Sequence, residues 1–415
     1  MRHRHLIPLI CVGWAAAVTV VSPAARAEDN PRKLKVFILA GQSNMQGHAH
    51  VRTFEAMALS PETAPLLKEM VGPDGQPKVC ERVWITCIGC AEEEMTGRLT
   101  AGFGAKARGP KIGPEFTFGI EMEKRLPNPI LIIKTAWGGK SLNTDFRPPG
   151  AGPYEFNETQ LEQFRRQGKD IEALKAEKAK ATGRYYRLMM EHVRNVLADP
   201  ARVCPAYDPA AGYEVAGFVW FQGWNDMVDR GTYPHRDQPG GYALYSRLLA
   251  QFIRDVRAEL GVPDLPFVIG VLGVGGPTAD YPPEQQRYRA VHQNFRDAMA
   301  APASMPEFAG TVAALLTERY WDQEVSALRR RERALKPRID AINQAVKDGR
   351  KTREEARQEI DALYAAEFTP RELKLLRTSV SNAEFHYLGS ARIMARIGQG
   401  FAELMDELCR RKAGR

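Results

Sequence analysis

The chain has 415 residues, of which 44% are hydrophobic and 26% are charged, and its formal net charge is +8 at pH 7. This composition is typical of a folded globular protein and excludes an intrinsically disordered chain. The charge is modest and the basic residues do not form a patch, so we do not expect nucleic acid as a partner.

The first 27 residues have the pattern of a secretory leader. Arg2 and Arg4 precede an apolar run at residues 6–21, and Ala25-Arg26-Ala27 matches a signal-peptidase site. We expect residues 1–27 to be removed as a signal peptide and residues 28–415 to be exported, to the periplasm or the medium. An uncleaved anchor is the alternative. No later apolar run is long enough to span a membrane, so no membrane association is expected after cleavage.

Five short apolar runs, rich in β-branched residues, predict strands that are buried on both faces of a parallel sheet. These runs are residues 35–40, 129–135, 215–222, 266–274 and 310–316. Helical patterns occupy residues 183–197, 240–260, 285–299 and 390–409. The repeated succession of strand and helix predicts one doubly wound α/β domain.

Two charged, helix-prone stretches, at about residues 156–182 and 322–377, interrupt this pattern. In the second, apolar residues recur at helical spacing, and Thr352 and Glu355 fit a capping box that starts another helix. We therefore predict an inserted helical hairpin, with Pro337 expected to kink or restart its first helix. Its intermixed charges indicate a solvated face rather than a binding patch.

Cysteine and histidine patterns give little support for a metal site. Cys80, Cys87 and Cys90 are clustered, and in an oxidising compartment such a cluster predicts disulfide bonds. A zinc site would need a fourth ligand at matching spacing, and none follows. His48 and His50 form an H-x-H pair without further ligands nearby, so metal binding is not expected there either.

The tetrapeptide Gly41-Gln42-Ser43-Asn44 ends the first predicted strand. If that strand is central, Ser43 lies at its carboxyl end, where open α/β sheets bind their ligands. A helix that starts here would direct free N–H groups and the positive end of its dipole toward this point, and both would stabilise an oxyanion. The alternative is that Ser43 only caps the helix.

A serine nucleophile needs a base, and His386 is the best placed histidine. It lies in a short loop at residues 381–387, immediately before the final helix, whereas His192 and His292 fall within helical patterns. Loops on a rigid scaffold are where a base can be aimed at a substrate.

Two further segments place hydrogen-bond donors at strand ends. Residues 134–139, KTAWGG, supply glycine N–H groups, and residues 220–226, WFQGWND, supply side-chain amides. Each donor aimed at the oxygen of a tetrahedral intermediate is commonly worth about 3 kcal/mol.

Together these blocks resemble the SGNH-hydrolase superfamily, and within it the sialate O-acetylesterase-like and acetylxylan-esterase branch. The blocks are GQSN at 41–44, TAWGG at 135–139, WFQG at 220–223 and HY at 386–387. The resemblance implies a flavodoxin-like three-layer α/β/α sandwich with a central parallel sheet, no cofactor or metal, and removal of O-acetyl groups from carbohydrates. By position it implies Ser43 as nucleophile, His386 as base, and Gly138 and Gln222 as oxyanion-hole donors beside the Ser43 N–H.

The chain departs from this family at two positions. Many relatives have an aspartate three residues before the histidine, where this chain has Ala383. Glu384 could replace that acid, or a backbone carbonyl could steady a serine–histidine dyad. The branch often has glutamate where this chain has Trp224, and the wider superfamily pattern offers Asn225 as the amide donor in place of Gln222.

The sequence therefore predicts a serine carboxylic ester hydrolase that removes O-acetyl groups from acetylated sugars through an acetyl-serine intermediate. A carbohydrate-binding or scaffolding protein with impaired chemistry is the alternative, motivated by Ala383. A lipase or thioesterase is a third interpretation and would need a long acyl groove. Neither the sugar nor the oligomeric state is indicated. Four aromatic residues adjoin the blocks and could stack on sugar rings or belong to the core: Trp137, Trp220, Trp224 and Tyr387.

Overall fold

A computed structural model describes residues 32–414, and the predicted signal peptide lies outside them. The strands of this part are β1 Leu34–Gly41, β2 Ala49–His50, β3 Val83–Ile88, β4 Met95–Arg98, β5 Lys111–Ile112, β6 Ile130–Ala136, β7 Tyr213–Phe221, β8 Phe267–Val271 and β9 Val312–Leu316. Seven of them form one sheet in the order β4-β3-β6-β1-β7-β8-β9. β4 is antiparallel to β3, and the other neighbouring strands of this sheet are parallel. β2 and β5 form a separate antiparallel pair.

The sheet has its topological switch point beside β1. β1 pairs with β6 on one side and with β7 on the other, and the chain then continues through β8 to β9. The order β6-β1-β7-β8-β9 is that of a flavodoxin-like sheet, in which ligands bind outside the carboxyl ends of the strands at this switch point. The predicted fold class is confirmed.

Helices cover both faces of the sheet. Those of the described part are α1 Ser43–Gln46, α2 Phe54–Met57, α3 Ala64–Met70, α4 Glu115–Arg125, α5 Glu158–Arg166, α6 Ile171–Ala181, α7 Arg184–Ala198, α8 Trp224–Val228, α9 Ala243–Leu260, α10 Arg289–Ala300, α11 Gln323–Lys347, α12 Arg353–Glu367, α13 Pro370–Ser379 and α14 Ala391–Ala413. Successive side chains of β7 pack on opposite layers: Phe221 contacts Phe401 of α14, and Trp220 contacts Phe252 of α9. Burial on both faces explains why these strands have continuous apolar sequences.

The predicted strands and helices occur close to their expected positions, but β3 and β4 were not predicted. The two insertions are also helical: α5 and α6 form the first, and α11 and α12 form the predicted hairpin. The capping box of Thr352 and Glu355 is present at the start of α12. α11 continues through Pro337, so of the two expected effects of this proline the restart is wrong, and the kink stays a prediction.

The predicted disulfides are not formed, because Cys80, Cys87 and Cys90 are free, buried thiols. Cys80 precedes β3 and Cys87 lies near its end, so most of that strand separates the two. Cys87 instead hydrogen-bonds Cys90. None of the described helices is long and apolar enough to cross a lipid bilayer.

Candidate active site

Ser43 is the first residue of α1 and follows directly on the central strand β1. The N-cap residue is Gln42, and its side chain makes no capping hydrogen bond. The Ser43 side chain is 8% exposed, and its hydroxyl has no hydrogen-bond partner within residues 32–414. The alternative in which Ser43 caps the helix is therefore wrong, and its hydroxyl is available for chemistry at the switch point.

Gly138 lies beside Ser43, after the end of β6. A Cβ atom placed on Gly138 would be 3.9 Å from the Ser43 Cβ and 3.0 Å from Oε1 of Gln46. The preceding Trp137 N–H donates to the Gly41 carbonyl at 3.2 Å, which fastens this loop to the end of β1. The Gly138 N–H has no acceptor among the described residues, so it is a free donor next to the serine.

The side-chain amide of Gln222 is fully engaged in a buried network. Its Nε2 donates to the Asp226 carboxylate at 2.6 Å, to the Lys140 carbonyl at 3.0 Å and to Oε1 of Gln42 at 3.2 Å. Its Oε1 accepts from the Tyr245 hydroxyl at 3.1 Å. Gln222 is 2% exposed, so in this structure its amide supports the site rather than facing a substrate.

Asn225 has a free side-chain amide donor, whereas the amide donor of Gln222 is already hydrogen-bonded. Oε1 of Gln42 accepts from the backbone N–H groups of Gly223 at 3.1 Å and Asn225 at 3.4 Å. Nε2 of Gln42 therefore points the other way and donates to Oδ1 of Asn225 at 2.9 Å. Nδ2 of Asn225 has no acceptor in the described part of the chain. Because Gln42 precedes Ser43, these bonds tie the free amide to the serine.

Asp226 is the buried anchor of this network. Its carboxylate is 1% exposed and accepts from the N–H groups of Leu142 at 2.8 Å and Asn143 at 3.1 Å, in addition to Gln222. Burial raises the pKa of the Asp226 carboxyl to about 6. The network fastens the loop after β6 to the start of α8, and apart from the WFQGWND pattern nothing in the sequence indicated it.

His386 lies in the 3-10 segment Glu384–Gly389, between α13 and α14. The loop is closed on itself, because the Ser381 N–H donates to the Leu388 carbonyl at 2.9 Å and the Leu388 N–H donates to the Ala383 carbonyl at 3.1 Å. This segment packs against α1 and β2. The structure thus brings the loop of His386 to the helix that begins with Ser43, and within the described residues no hydrogen bond joins the two side chains.

The backbone immediately after His386 is strained. Tyr387 and Leu388 have φ angles of +52° and +60°, in a left-handed region that costs a non-glycine residue about 1–3 kcal/mol. The Tyr387 hydroxyl is anchored in the core, where it accepts from the Gly273 N–H at 2.8 Å and lies 2.7 Å from the Thr317 hydroxyl. Strain that is held in place by such contacts is typical of functional loops.

The imidazole of His386 has two close polar or aromatic neighbours that the sequence did not indicate. Its Nδ1 lies 3.0 Å from Oδ1 of Asn382. Its ring stacks on His48, with centroids 3.8 Å apart and planes 5° apart. Burial lowers the pKa of His386 to about 4. Burial, and then the positive charges of His386 and two lysines, lower the pKa of His48 to about 3, so both rings are neutral at pH 7.

No carboxylate orients His386 in the described structure. The carboxylate of Glu384 accepts from Arg333 at 3.2 Å, and both side chains are about half exposed. Ala383 offers no polar side-chain atom, and its carbonyl oxygen accepts from the backbone of His386 and Leu388 instead. Among the described residues, Asn382 is therefore the side chain that hydrogen-bonds the ring of the base.

A buried ion pair lies beneath α1. The Lys134 ammonium donates to the Glu115 carboxylate at 2.6 Å, to the Gln46 carbonyl at 2.8 Å and to the Phe103 carbonyl at 2.9 Å. Both charged side chains are 0% exposed. Because Gln46 is the last residue of α1, the ion pair holds the carboxyl end of the helix that carries Ser43.

A cavity of about 420 Å³ lies next to the His386 loop. Trp224 and Phe385 both line it, with ring centroids 5.7 Å apart. Phe385 is 41% exposed, and Arg230 and Arg236 supply positive charge to the lining. Of the aromatic residues singled out from the sequence, Trp224 is available to a ligand, whereas Trp220 and Tyr387 are fully buried.

The described residues contain no group of three or more histidine, cysteine, aspartate or glutamate side chains arranged to hold a metal ion. His48, which was considered as part of an H-x-H metal pair, instead stacks on His386.

Solved structures of other proteins are similar to parts of this chain. A carbohydrate acetylesterase from Xanthomonas citri is 15% identical, with a TM-score of 0.36; the match covers 68% of this chain and 50% of that protein, so this chain spans about half its length. A protein from Arabidopsis thaliana is 15% identical, with a TM-score of 0.35 and coverage of 68% and 85%. The structure of NanS is 12% identical, with a TM-score of 0.37 and coverage of 68% and 78%. No curated protein matches the chain.

A family model described as carbohydrate esterase, sialic acid-specific acetylesterase, matches residues 33–305. This range is more than half of the chain; it includes Ser43, Gly138 and Gln222 and ends before His386. The chain therefore belongs to the carbohydrate esterase family of sialic acid-specific acetylesterases, a family of carboxylic ester hydrolases.

Proposed function

We propose that this protein is an exported serine esterase that removes O-acetyl groups from acetylated carbohydrates. The observation that carries the proposal is the position of Ser43, whose unpartnered hydroxyl lies at the switch point of the sheet, on a helix packed against the His386 loop. Family membership supports the reaction class. The leader-like sequence at residues 1–27 supports export.

In the proposed mechanism His386 accepts the proton of the Ser43 hydroxyl through Nε2 while Ser43 Oγ attacks the acetyl carbonyl. The tetrahedral intermediate collapses, the C–O bond to the sugar breaks, and His386 returns its proton to the sugar oxygen. Water, deprotonated by the same histidine, then attacks the acetyl-serine, the bond from the acetyl carbon to Ser43 Oγ breaks, His386 returns the proton to Oγ, and acetate leaves. Since no hydrogen bond joins Ser43 to His386 here, we expect it to form with substrate bound, as is common when free enzymes have loose catalytic hydrogen bonds.

The oxyanion would be bound by the N–H groups of Ser43 and Gly138, both without acceptors in the described structure. We propose Asn225 as the side-chain donor, because its Nδ2 is free whereas Nε2 of Gln222 makes three hydrogen bonds. Gln222 would then contribute by holding Gln42, which orients Asn225.

The cavity beside His386 suits the sugar portion of the substrate. Trp224 and Phe385 offer aromatic faces, on which sugar rings stack, and they adjoin the amide donor and the base in sequence. We therefore place the sugar on the Trp224 side and the acetyl group over Ser43.

Mutation of Ser43 tests the reaction. Ser43→Ala should abolish release of acetate from 4-nitrophenyl acetate and from acetylated carbohydrates without changing the circular dichroism spectrum. Ser379→Ala is the matched control, because Ser379 is also buried and has an unpartnered hydroxyl, far along the chain in α13. Turnover that survives in Ser43→Ala would exclude Ser43 as the nucleophile.

A fluorophosphonate probe separates an esterase from a binding protein with impaired chemistry. An active serine should be covalently labelled at Ser43, whereas a scaffolding protein should remain unlabelled. Rates that fall steeply from acetyl to octanoyl esters would count against a lipase or thioesterase. Acetate release from acetylated xylan, pectin and sialosides would then identify the sugar.

A further inference from the structure

Residues 381–389, which carry His386 and are called the base loop below, lack the acid that many relatives of this branch have three residues before the histidine. Ala383 occupies that position, and the neighbouring Glu384 binds Arg333 instead of His386. The only hydrogen-bond partner of the His386 ring among the described residues is Oδ1 of Asn382, at 3.0 Å. A neutral amide thus occupies the place where a carboxylate would be expected to act.

The hydrogen bonds around Asn382 fix which end of its amide faces His386. The backbone N–H of Ala383 donates to Oδ1 of Asn382 at 2.7 Å, and an N–H can only donate. The other end, Nδ2, lies 3.3 Å from Nδ1 of His48. Since Oδ1 can only accept, Nδ1 of His386 carries the proton and Nε2 has a free lone pair. This is the tautomer that a general base requires.

The same bonds assign the tautomer of His48. Its Nδ1 accepts from Nδ2 of Asn382, so its proton is on Nε2, which is buried without a partner in the described structure. His48 also stacks on His386 with nearly parallel planes. Asn382 therefore joins two imidazoles that are packed face to face, and His48 holds both the amide and the plane of the base.

We propose that Asn382 is the positioning residue of the catalytic base, in place of an aspartate, and that His48 locks Asn382 in the orientation that leaves Nε2 of His386 unprotonated. The proposal deepens the proposed esterase function and rests on it. The amide fixes the tautomer through a hydrogen bond, but it supplies no negative charge to stabilise the imidazolium that forms during the reaction. The base should therefore be correctly oriented but weak.

The charged groups near His386 agree with a weak base. Burial alone lowers the pKa of His386, and no carboxylate counteracts it. The ring in direct contact, His48, is neutral, and Lys111 and Lys134 act on His48 with positive charge. Glu384, on the loop itself, is paired with Arg333.

Substitutions at Asn382 test the proposal through the acid limb of the pH profile. Asn382→Leu removes the acceptor at similar size and should lower kcat about 100-fold with little change in KM, in the range of a lost general base. Asn382→Asp keeps an acceptor for Nδ1 of His386 and adds a negative charge, so it should keep kcat within about tenfold of the wild type. It should also shift the acid limb of kcat/KM upward by about one pH unit or more. Asn128→Leu is the control, because Asn128 makes one exposed backbone hydrogen bond elsewhere.

A merely structural asparagine would give a different result. Asn382→Asp would then be as defective as Asn382→Leu, or its acid limb would stay at the wild-type pH, and either result would overturn the proposal. His48→Phe keeps a stacking ring but removes the acceptor for Nδ2, so we expect a smaller loss of kcat, of about tenfold. Wild-type activity in His48→Phe would contradict the locking role.

Nitrogen NMR of the histidine rings provides a readout that does not need turnover. In the 15N-labelled protein at pH 7, His386 should be protonated on Nδ1 and unprotonated on Nε2, and Asn382→Leu should remove this preference. A wild-type His386 protonated on Nε2 would exclude the proposed tautomer. Ser43→Ala distinguishes failure of the proposed function from failure of the role of Asn382. If Ser43→Ala retains turnover, the proposed function fails. If Ser43→Ala is inactive and Asn382→Leu is fully active, only the role of Asn382 is refuted.

Discussion

The imidazole rings of His48 and His386 are parallel to within 5° and lie 3.8 Å apart between centroids. Two rings in such contact cannot both carry a positive charge at low cost. The base of the proposed reaction is therefore accompanied by a histidine that stays neutral, and the pH dependence of the protein should reflect this pair.

The acid limb of the pH profile of kcat/KM should lie at an unusually low pH. His386 must be neutral to accept a proton, and burial lowers its pKa from 6.5 to about 4. We therefore expect kcat/KM for acetate release to be constant from pH 8 to pH 5 and to fall near pH 4. An acid limb near pH 6.5, the value of an unperturbed histidine, would contradict the buried position of the base.

The stability of the fold should fall over a wider pH range. His48 and His386 have folded-state pKa values of about 3 and about 4, below the unfolded value of 6.5. As the pH falls below about 6.5 the unfolded state binds protons that the folded state does not, so the free energy of unfolding decreases down to about pH 3. Urea unfolding at several pH values measures this slope. His48→Phe should flatten it, and an equal slope in that variant would exclude His48 as a contributor.

Substitutions of Gln222 and Asn225, the two amide residues after β7, should have different effects on kcat and on the free energy of unfolding. Asn225→Ala removes a free donor and should lower kcat about 100-fold with a small change in unfolding free energy. Gln222→Met removes one buried hydrogen-bond partner of Asp226 and one of Tyr245, which both keep hydrogen bonds to backbone groups, so it should destabilise the fold by about 1–3 kcal/mol. A larger kcat loss in Gln222→Met, measured well below its unfolding temperature, would instead favour Gln222 as the oxyanion donor.

The ion pair beneath α1 should show strong coupling. Glu115→Gln leaves the buried Lys134 ammonium without its countercharge and should cost about 3–5 kcal/mol of unfolding free energy. The double variant Glu115→Gln with Lys134→Met should be less unstable than the sum of the two single variants, as urea unfolding of the four proteins would show. Additive losses would mean that the two charges do not interact energetically.

The aromatic lining of the cavity should affect sugar binding and not the chemistry. Trp224→Ala should raise KM for an acetylated oligosaccharide about tenfold while the kcat/KM for 4-nitrophenyl acetate, which has no sugar, changes little. Trp137→Ala is the comparison variant, because Trp137 follows β6, on the side of β1 opposite to Trp224. Equal effects on both substrates would place Trp224 in the support of the site rather than in sugar binding.

Much of the fold was predictable from sequence because parallel strands buried on both faces have continuous apolar runs. β3 was missed, although residues 83–88 read VWITCI, because its Cys87 was interpreted, together with Cys80 and Cys90, as part of a disulfide-bonded loop. Ser43 and His386 could be proposed because a strand end and a loop before a helix are visible in sequence.

The support of the site was less predictable. Whether Gln222 or Asn225 has a free amide depends on hydrogen bonds to residues far away in the chain, such as Tyr245 and Lys140. The role of Asn382 likewise depends on the direction of one amide, which is set by Ala383 and His48 and which no sequence pattern encodes.

The position of α14 has a consequence for biosynthesis. α14 packs between α4 and the strands β7, β8 and β9, and the base loop immediately precedes it. On the proposed mechanism, a nascent chain carries its nucleophile long before its base, because Ser43 precedes His386 by most of the domain. A chain that terminates before His386 should therefore be inert in deacetylation.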